Sequence, residues 1–300
     1  MRIGFALPQF HRQAFEVARA AEFAREAERA GAASLWVGDR NLAAVRPSVG
    51  YGGQGTTIPP ELNPAADPFV LLGVAAAATE RVLLGSHVLI APLYPPVQLA
   101  RALTTIDLVS GGRLLAGFGI GWSPEEYEAA GRDFSRRGAL LDELLDALEA
   151  VWTEDPAEYS GALLSVPRHH APLKPARLPR PPVYLGALSE RALRRVARRA
   201  DGWLPLCVVP EYVDTDGLTA QRARLDTWAR AAGRDPGDID TVLRVNVSTG
   251  TGVRAVAHAI RSVRDRTGIE HVMVDTMYEV ETVEESLTYA RELLDLLRAG

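Results

Sequence analysis

Apolar residues in this chain follow two alternating patterns, stretches at helical spacing and short uninterrupted runs. Residues 98–122 display both. Leu99, Leu103, Ile106 and Val109 share one face of a helix over 98–109, because positions three and four apart lie on the same side. Ser110-Gly111-Gly112 ends that helix, since glycine takes the left-handed conformation of a helix C-terminus at little cost. Arg113–Phe118 follows as a short buried strand, and Gly119-Ile120-Gly121-Trp122 as a loop before the acidic helix start Ser123-Pro124-Glu125-Glu126.

The alternation continues from end to end. Strands are predicted at Arg2–Leu7, Ser34–Gly38, Val82–Ile90, Arg113–Phe118, Val183–Gly186, Gly202–Leu206, Thr241–Val247 and His271–Asp275. Helices are predicted at Ala14–Ala30, Ala65–Ala78, 98–109, Ser189–Ala200, Glu211–Ala232, Val253–Thr267 and Val283–Arg298. A further helical stretch, Glu125–Trp152, breaks at Gly131-Arg132-Asp133. Eight strand–helix pairs predict an α/β chain folded as one (β/α)8 TIM barrel over residues 1–300, and crossover helices favour a parallel sheet. Two segments fall outside the repeat. Asn41–Pro64, rich in Gly and Pro, follows strand two and is expected to overhang the barrel mouth as a lid or binding loop. Thr153–Pro182, interrupted by prolines, follows the fourth unit and cannot be regular helix.

Composition narrows the class. At 300 residues and 47% apolar content the chain can bury a single large core. A net charge of −5 argues against nucleic acid as the main partner. The lone Cys207 leaves no internal disulfide framework and fits a reducing cytoplasm. The start MRIGFALPQF lacks a signal-peptide apolar run, and no stretch is long and apolar enough to cross a membrane.

In a barrel, chemistry gathers where strands end. Those ends carry Gln9 and Phe10; Asp39 and Arg40; Ser86 and His87; Gly119 to Trp122; Gly186 and Ala187; Cys207; Asn246 and Ser248; and Asp275 to Met277. The six histidines are scattered, so metal catalysis is not expected, and no GxSxG elbow supports a serine nucleophile. Cys207 has no adjacent histidine. The glycines at 119 and 121 have two readings: backbone N–H groups cradling a phosphate, or a tight turn with no ligand. Gly117-Phe118-Gly119 begins a dinucleotide fingerprint, but Trp122 stands in the third glycine's place. Asp39-Arg40 is a reactive pair or a surface ion pair. His87 is either a satisfied mouth histidine or the group that titrates near working pH. Asp275 would contact substrate or cap the final helix.

The runs TIDLVSGGRLLAGFGIGW (105–122), EEYEAAGRDFSRRGALLDELLDALEAVW (125–152) and PPVYLGALSERALRRVARRADGWLP (181–205) resemble the bacterial-luciferase-like oxidoreductases. The likeness is nearest the branch that uses the deazaflavin coenzyme F420 in place of FMN. It implies a TIM barrel with the ring across the C-terminal mouth and hydride transfer between deazaflavin C5 and a small organic substrate. It also implies a homodimer. Asp39 would contact the ring; the histidine that usually follows is here Arg40, which is poor at proton transfer. The resemblance places a non-prolyl cis peptide between His87 and Val88, with Ser86, backing the ring. It gives phosphate capture to Gly119, Ile120, Gly121 and Trp122 together with Gly186 and Ala187, where the family often has Gly-Gly. It also sets the segment after the fourth unit beside the cofactor. Alternatives are an FMN-dependent monooxygenase of the same fold, a non-catalytic F420- or flavin-binding protein, and an unrelated phosphate-binding barrel.

Overall fold

A computed structural model of the chain describes residues 1–53 and 55–299. The apolar runs become strands, β1 (Arg2–Ala6), β2 (Ser34–Val37), β3 (Leu83–Ser86), β4 (Leu89–Ile90), β5 (Leu114–Gly119), β6 (Ala157–Ser160), β7 (Ser165–His169), β8 (Val183–Gly186), β9 (Gly202–Leu204), β10 (Leu206–Val209), β11 (Asp240–Val247) and β12 (His271–Asp275). The amphipathic stretches become α1 (Ala20–Ala30), α2 (Pro68–Ala78), α3 (Pro96–Ser110), α4 (Pro124–Ala129), α5 (Arg137–Thr153), α6 (Glu190–Arg199), α7 (Thr215–Ala231), α8 (Val253–Thr267) and α9 (Val283–Arg298).

The parallel path β11-β12-β1-β2-β3-β5-β8-β9 closes where β9 pairs with β11, Gly202 opposite Asp240. Eight positions therefore form a closed barrel, the (β/α)8 fold expected from the alternation. Two positions are interrupted. β3 and β4 are halves of one strand, the first pairing with β2 and β5 and the second continuing along β5. β9 and β10 are likewise halves, separated at Pro205 and both pairing with β11.

Side chains alternate between two cores. The larger lies between strands and helices and includes Leu35, Leu84, Leu243, Val245 and Val274. The smaller fills the barrel interior with Trp36, Leu115, Tyr184, Leu204, Val242 and Met273. Trp36 is its bulkiest member. Its indole N–H donates to Ser34 Oγ at 2.7 Å, and its ring meets His87 and His271 edge-on at 6.3 and 6.0 Å. Glycine at 85 makes room for it, since a Cβ there would lie 2.2 Å from the indole.

Several boundaries differ from the sequence pattern. The first helix opens as a 3-10 stretch, His11–Arg19, kinked at Glu16. Tertiary bonds hold that stretch: Gln13 donates to the Val280 carbonyl at 3.2 Å, and Glu16 accepts the Val283 N–H at 3.2 Å. Helix α2 begins at Pro68 rather than Ala65, because Asp67 caps it by accepting the Val70 N–H at 2.9 Å.

The proline-rich segment after α5 is not beside the mouth. It forms the antiparallel hairpin β6–β7 and packs on the outer helices. Glu143 in α5 accepts the N–H groups of Ala162, Leu163 and Leu164. Lys174 donates to the Val151 carbonyl at 2.9 Å, and the Arg177 N–H reaches Asp107 near the end of α3 at 2.9 Å. The reason is directional: α5 returns the chain to the side where strands begin, so a segment between α5 and β8 lies at that end. Asn41–Pro64 contains only the short 3-10 turns Tyr51–Gly53 and Pro60–Leu62 among its described residues.

The interior packing generates a stability prediction. Gly85→Ala would drive a Cβ into the Trp36 ring and should destabilise the fold by about 1–3 kcal/mol. Gly138→Ala, in the first turn of α5 with only Arg195 Nη2 at 3.6 Å, should be neutral or stabilising by up to about 1 kcal/mol. Urea unfolding of both variants reads the contrast.

Candidate active site

The mouth is assembled around the end of β2. Gln9 joins it to β1 by donating to the carbonyls of Gly38 and Ala66, both at 3.0 Å, and accepting the Gly38 N–H at 2.6 Å. Both ends of that amide are thus occupied, so Gln9 is a clamp rather than a ligand contact. Asp39 follows. Its Oδ2 accepts the Ile90 N–H and the Tyr94 hydroxyl, each at 2.8 Å, tying β2 to the displaced half-strand β4. Burial pushes the Asp39 carboxyl up to about 7; those two hydrogen bonds oppose the shift, and the charges of Glu126 and Asp67 add to it.

Arg40 does not pair with Asp39. It faces Glu126, with Nη1 3.8 Å from Oε2, and its guanidinium lies over the Trp122 ring at 4.8 Å. Both charged side chains are buried rather than at the surface. Burial lowers the Arg40 pKa and raises that of Glu126. Glu126 also accepts the Asn41 N–H at 2.8 Å.

At the break in strand three, Ser86 Oγ donates to the Gly117 carbonyl at 2.8 Å and accepts the Gly117 N–H at 2.9 Å. A side chain thereby replaces a missing rung of the sheet. The His87–Val88 peptide is cis, at the place the resemblance indicates. The His87 carbonyl accepts from Arg244 Nη1 at 2.8 Å.

The His87 ring corrects the sequence-based expectation. It is buried in the barrel against Trp36, and burial together with the Arg244 charge depresses its pKa to about 3. Both effects favour the neutral imidazole, whereas Asp39 is the mouth group shifted toward neutrality.

The glycines of these strand ends also answer a packing demand. A Cβ on Gly117 would lie 1.8 Å from the Ser86 carbonyl oxygen, and one on Gly119 2.4 Å from Val88. Gly186 faces Val88 at 3.2 Å, and Gly121, at φ +63°, faces Ile90 at 2.7 Å. These positions make room for the displaced residues 86–90. Ala187 is buried, and its carbonyl accepts the Trp203 indole N–H at 3.1 Å. Ile120 offers its carbonyl to the Tyr127 hydroxyl at 2.6 Å.

Asp275 neither caps α9 nor stands free. Thr282 and Glu285 form the capping box of α9, while Asp275 Oδ2 binds Arg244 Nη2 at 2.5 Å. Arg244 also donates to Asn246 Oδ1 at 2.7 Å. Sequence reasoning passed over Arg244, yet a signal existed. In β11, Leu243, Val245 and Val247 face the helices, so Arg244 shares the inward face with Val242 and Asn246. Cys207 is buried, its thiol pushed up to about 12, and is inert. No group of three His, Cys, Asp or Glu among the described residues could hold a metal.

The segment after β2 covers this mouth. Ser48 donates to Glu125, Tyr51 meets the Trp122 ring edge-on at 5.6 Å, and Leu62 packs with Phe10 and Met277.

A closed parallel barrel with a buried ionisable group at its covered mouth is a TIM-barrel enzyme frame. Solved structures share it. A monooxygenase, RslO1, from Streptomyces bottropensis superposes with TM-score 0.81 at 18% identity, covering 100% of this chain and 99% of that one. The coenzyme F420-dependent tetrahydromethanopterin reductase of Methanopyrus kandleri superposes with TM-score 0.73 at 15% identity, covering 97% of each. At those identities the likeness is one of fold. The luciferase-like monooxygenase family model matches residues 1–298, so the chain belongs to that family of oxidoreductases. An uncharacterized protein of Mycobacterium tuberculosis is 38% identical over 56% of this chain and 58% of its own length. A phthiodiolone/phenolphthiodiolone dimycocerosates ketoreductase of the same species is 31% identical over 78% of this chain and 61% of its own. The chain thus spans about three fifths of each relative. No helix among the described residues is long and apolar enough to cross a membrane.

Asp39 makes stability depend on pH. Its folded pKa near 7 exceeds the ordinary carboxylate value of about 3.9, so the folded state keeps a proton that the unfolded chain loses. Its contribution is therefore full below about pH 4 and is lost as pH rises to about 7. The urea midpoint of the Asp39→Asn variant should fall less over that window than the wild-type midpoint. Parallel curves would place the Asp39 pKa at an ordinary value.

Proposed function

We propose that this chain is an F420-dependent oxidoreductase that moves hydride between deazaflavin C5 and a small organic substrate at the barrel mouth. The observation that carries the reading is Asp39, an acid brought close to neutrality and held by Tyr94 and the Ile90 N–H. Hydride transfer to a carbonyl or alkene leaves one proton to be placed, and a group poised near working pH handles it best. The family and the F420-dependent neighbour support the cofactor class.

The residues present fit a flat ring with a polar rim. Val88 and Ile90 offer an apolar wall, Trp122 a second, and the buried His87 Nε2 lacks a partner among the described residues. When bound, the deazaflavin would supply the hydride. Asp39 would give its proton to the substrate, with Tyr94 and the Ile90 N–H holding the carboxylate left behind. The covering segment would exclude water. Ser86, His87 and Val88 would back the ring. The loop at Gly119–Trp122 and the turn Gly186-Ala187 before α6 would receive the phosphate end.

Titration of the protein with F420 and with FMN, each followed by cofactor fluorescence, tests the cofactor. Tight F420 binding with weak FMN binding is expected; the reverse would make the chain an FMN-dependent monooxygenase. Turnover on a panel of ketones and enones then separates an enzyme from a binder. Asp39→Asn should lower turnover by about 10²–10⁴-fold with F420 affinity kept, whereas His87→Gln should not. A large loss in His87→Gln alone would return the proton to the histidine.

We also propose a homodimer through the outer face of α2 and α3. Helix α2, PFVLLGVAAAA, is apolar on all sides and leaves Val70 63% exposed; Val97 and Leu108 of α3 are exposed as well. A helix apolar all round is normally covered. Sedimentation should find a dimer that Val70→Asp shifts toward monomer; a monomeric wild type would end this assignment.

A further inference from the structure

Arg40 carries one feature that the redox reading does not use. Its side chain is 4% exposed, and its only charge partner among the described residues, Glu126, is 1% exposed. The pair is loose, with 3.8 Å from Nη1 to Oε2. The Nε and Nη2 atoms of Arg40 are buried without a hydrogen-bond partner among the described residues. Those two nitrogens form one edge of the planar guanidinium, and their N–H groups point the same way. This edge grips a carboxylate through two parallel bonds.

The same edge is in use elsewhere in the chain. Arg19 holds the Glu22 carboxylate through Nε at 2.9 Å and Nη2 at 2.6 Å. Arg195 holds Asp142 through Nε at 2.6 Å and Nη2 at 2.9 Å. In Arg40 the identical fork is buried and unanswered, an arrangement that is costly in a finished site. It sits at the mouth: Arg40 follows Asp39 and lies on Trp122, which also meets Tyr51 of the covering segment.

We propose that the Nε/Nη2 edge of Arg40 receives a carboxylate of the substrate, so that the substrate class is a small carboxylic acid. This rests on the mouth being the redox site. Trp122 would carry the flat part of the acid, and Glu126 would fix the guanidinium from the Nη1 side. Arginine at this place would then serve as a specificity-determining residue, which leaves proton transfer to Asp39. The polar edge of a bound deazaflavin presents similar paired acceptors, and the test separates the two sources.

Calorimetric titration of F420-loaded protein with butyrate and benzoate, each beside its amide, provides the test. The carboxylates should bind about 10-fold or more tightly than the amides. Arg40→Lys keeps the charge but loses the fork, so it should erase that preference while F420 affinity stays within about 3-fold. Glu126→Gln, which removes the competing charge, should tighten carboxylate binding and keeps the test open if Arg40→Lys does not fold. Equal binding of acids and amides, an unchanged preference in Arg40→Lys, or no tightening in Glu126→Gln would overturn the proposal. Loss of F420 affinity in Arg40→Lys with the acid preference intact would assign the edge to the cofactor and also overturn it. If the wild type takes neither F420 nor FMN, the redox reading fails separately, and the same titrations on unloaded protein still decide whether Arg40 holds a carboxylate.

Discussion

Residues 86–90 leave the regular path of strand three, and the rest of the mouth is built to accept that departure. A sheet interrupted in its interior exposes N–H and C=O groups that must find other partners. Here each one named in the site is met by a particular side chain. Ser86 Oγ takes the Gly117 N–H and returns a bond to its carbonyl. Asp39 receives the Ile90 N–H, and Arg244 reaches the His87 carbonyl from the other side of the barrel. Space is surrendered as well, by Gly117, Gly119, Gly121 and Gly186. The candidate catalytic acid is therefore also a structural tie, and this is why it is buried enough to hold a proton near neutrality.

Two carboxylates of the mouth thereby acquire different roles. Asp275 lies against the Arg244 guanidinium at 2.5 Å, an ion pair. Asp39 meets only an amide and a hydroxyl, with further negative charge from Glu126 and Asp67 nearby. Neutral donors compensate desolvation less than a cation does, so burial wins at Asp39. The single arginine of β11 sets the contrast. Its charge adds to burial in depressing the His87 imidazole, the residue whose ordinary titration range made it attractive in the sequence.

Much of the fold was legible because strand and helix periods differ and glycine marks the helix ends. Four predicted elements, Val183–Gly186, Val253–Thr267, His271–Asp275 and Val283–Arg298, agree with the structure at both boundaries. Failures came where tertiary bonds override local pattern. The apolar run Val82–Ile90 reads as one strand, since nothing in its composition announces the break that Asp39, Arg244 and Ser86 hold from other parts of the chain. Pairing between Arg40 and Glu126, 86 positions apart by subtraction of their numbers, is equally invisible along the sequence. Direction was the missing element for the hairpin β6–β7: a segment following a helix, rather than a strand, leaves from the opposite end of the barrel.

The glycines carry the broader consequence. Read along the chain, glycine at the end of a barrel strand suggests a backbone that approaches a ligand. In three dimensions the space beside Gly119 and Gly186 belongs to Val88, and that beside Gly121 to Ile90. Those glycines thus answer a packing demand, giving Val88 and Ile90 their places against the strand ends. The protein has used glycine to push an apolar wall forward. That wall stands beside Asp39, whose carboxylate oxygen accepts the Ile90 N–H at 2.8 Å, so the glycines that admit Val88 and Ile90 and the acid that ties β4 to β2 form one packing unit.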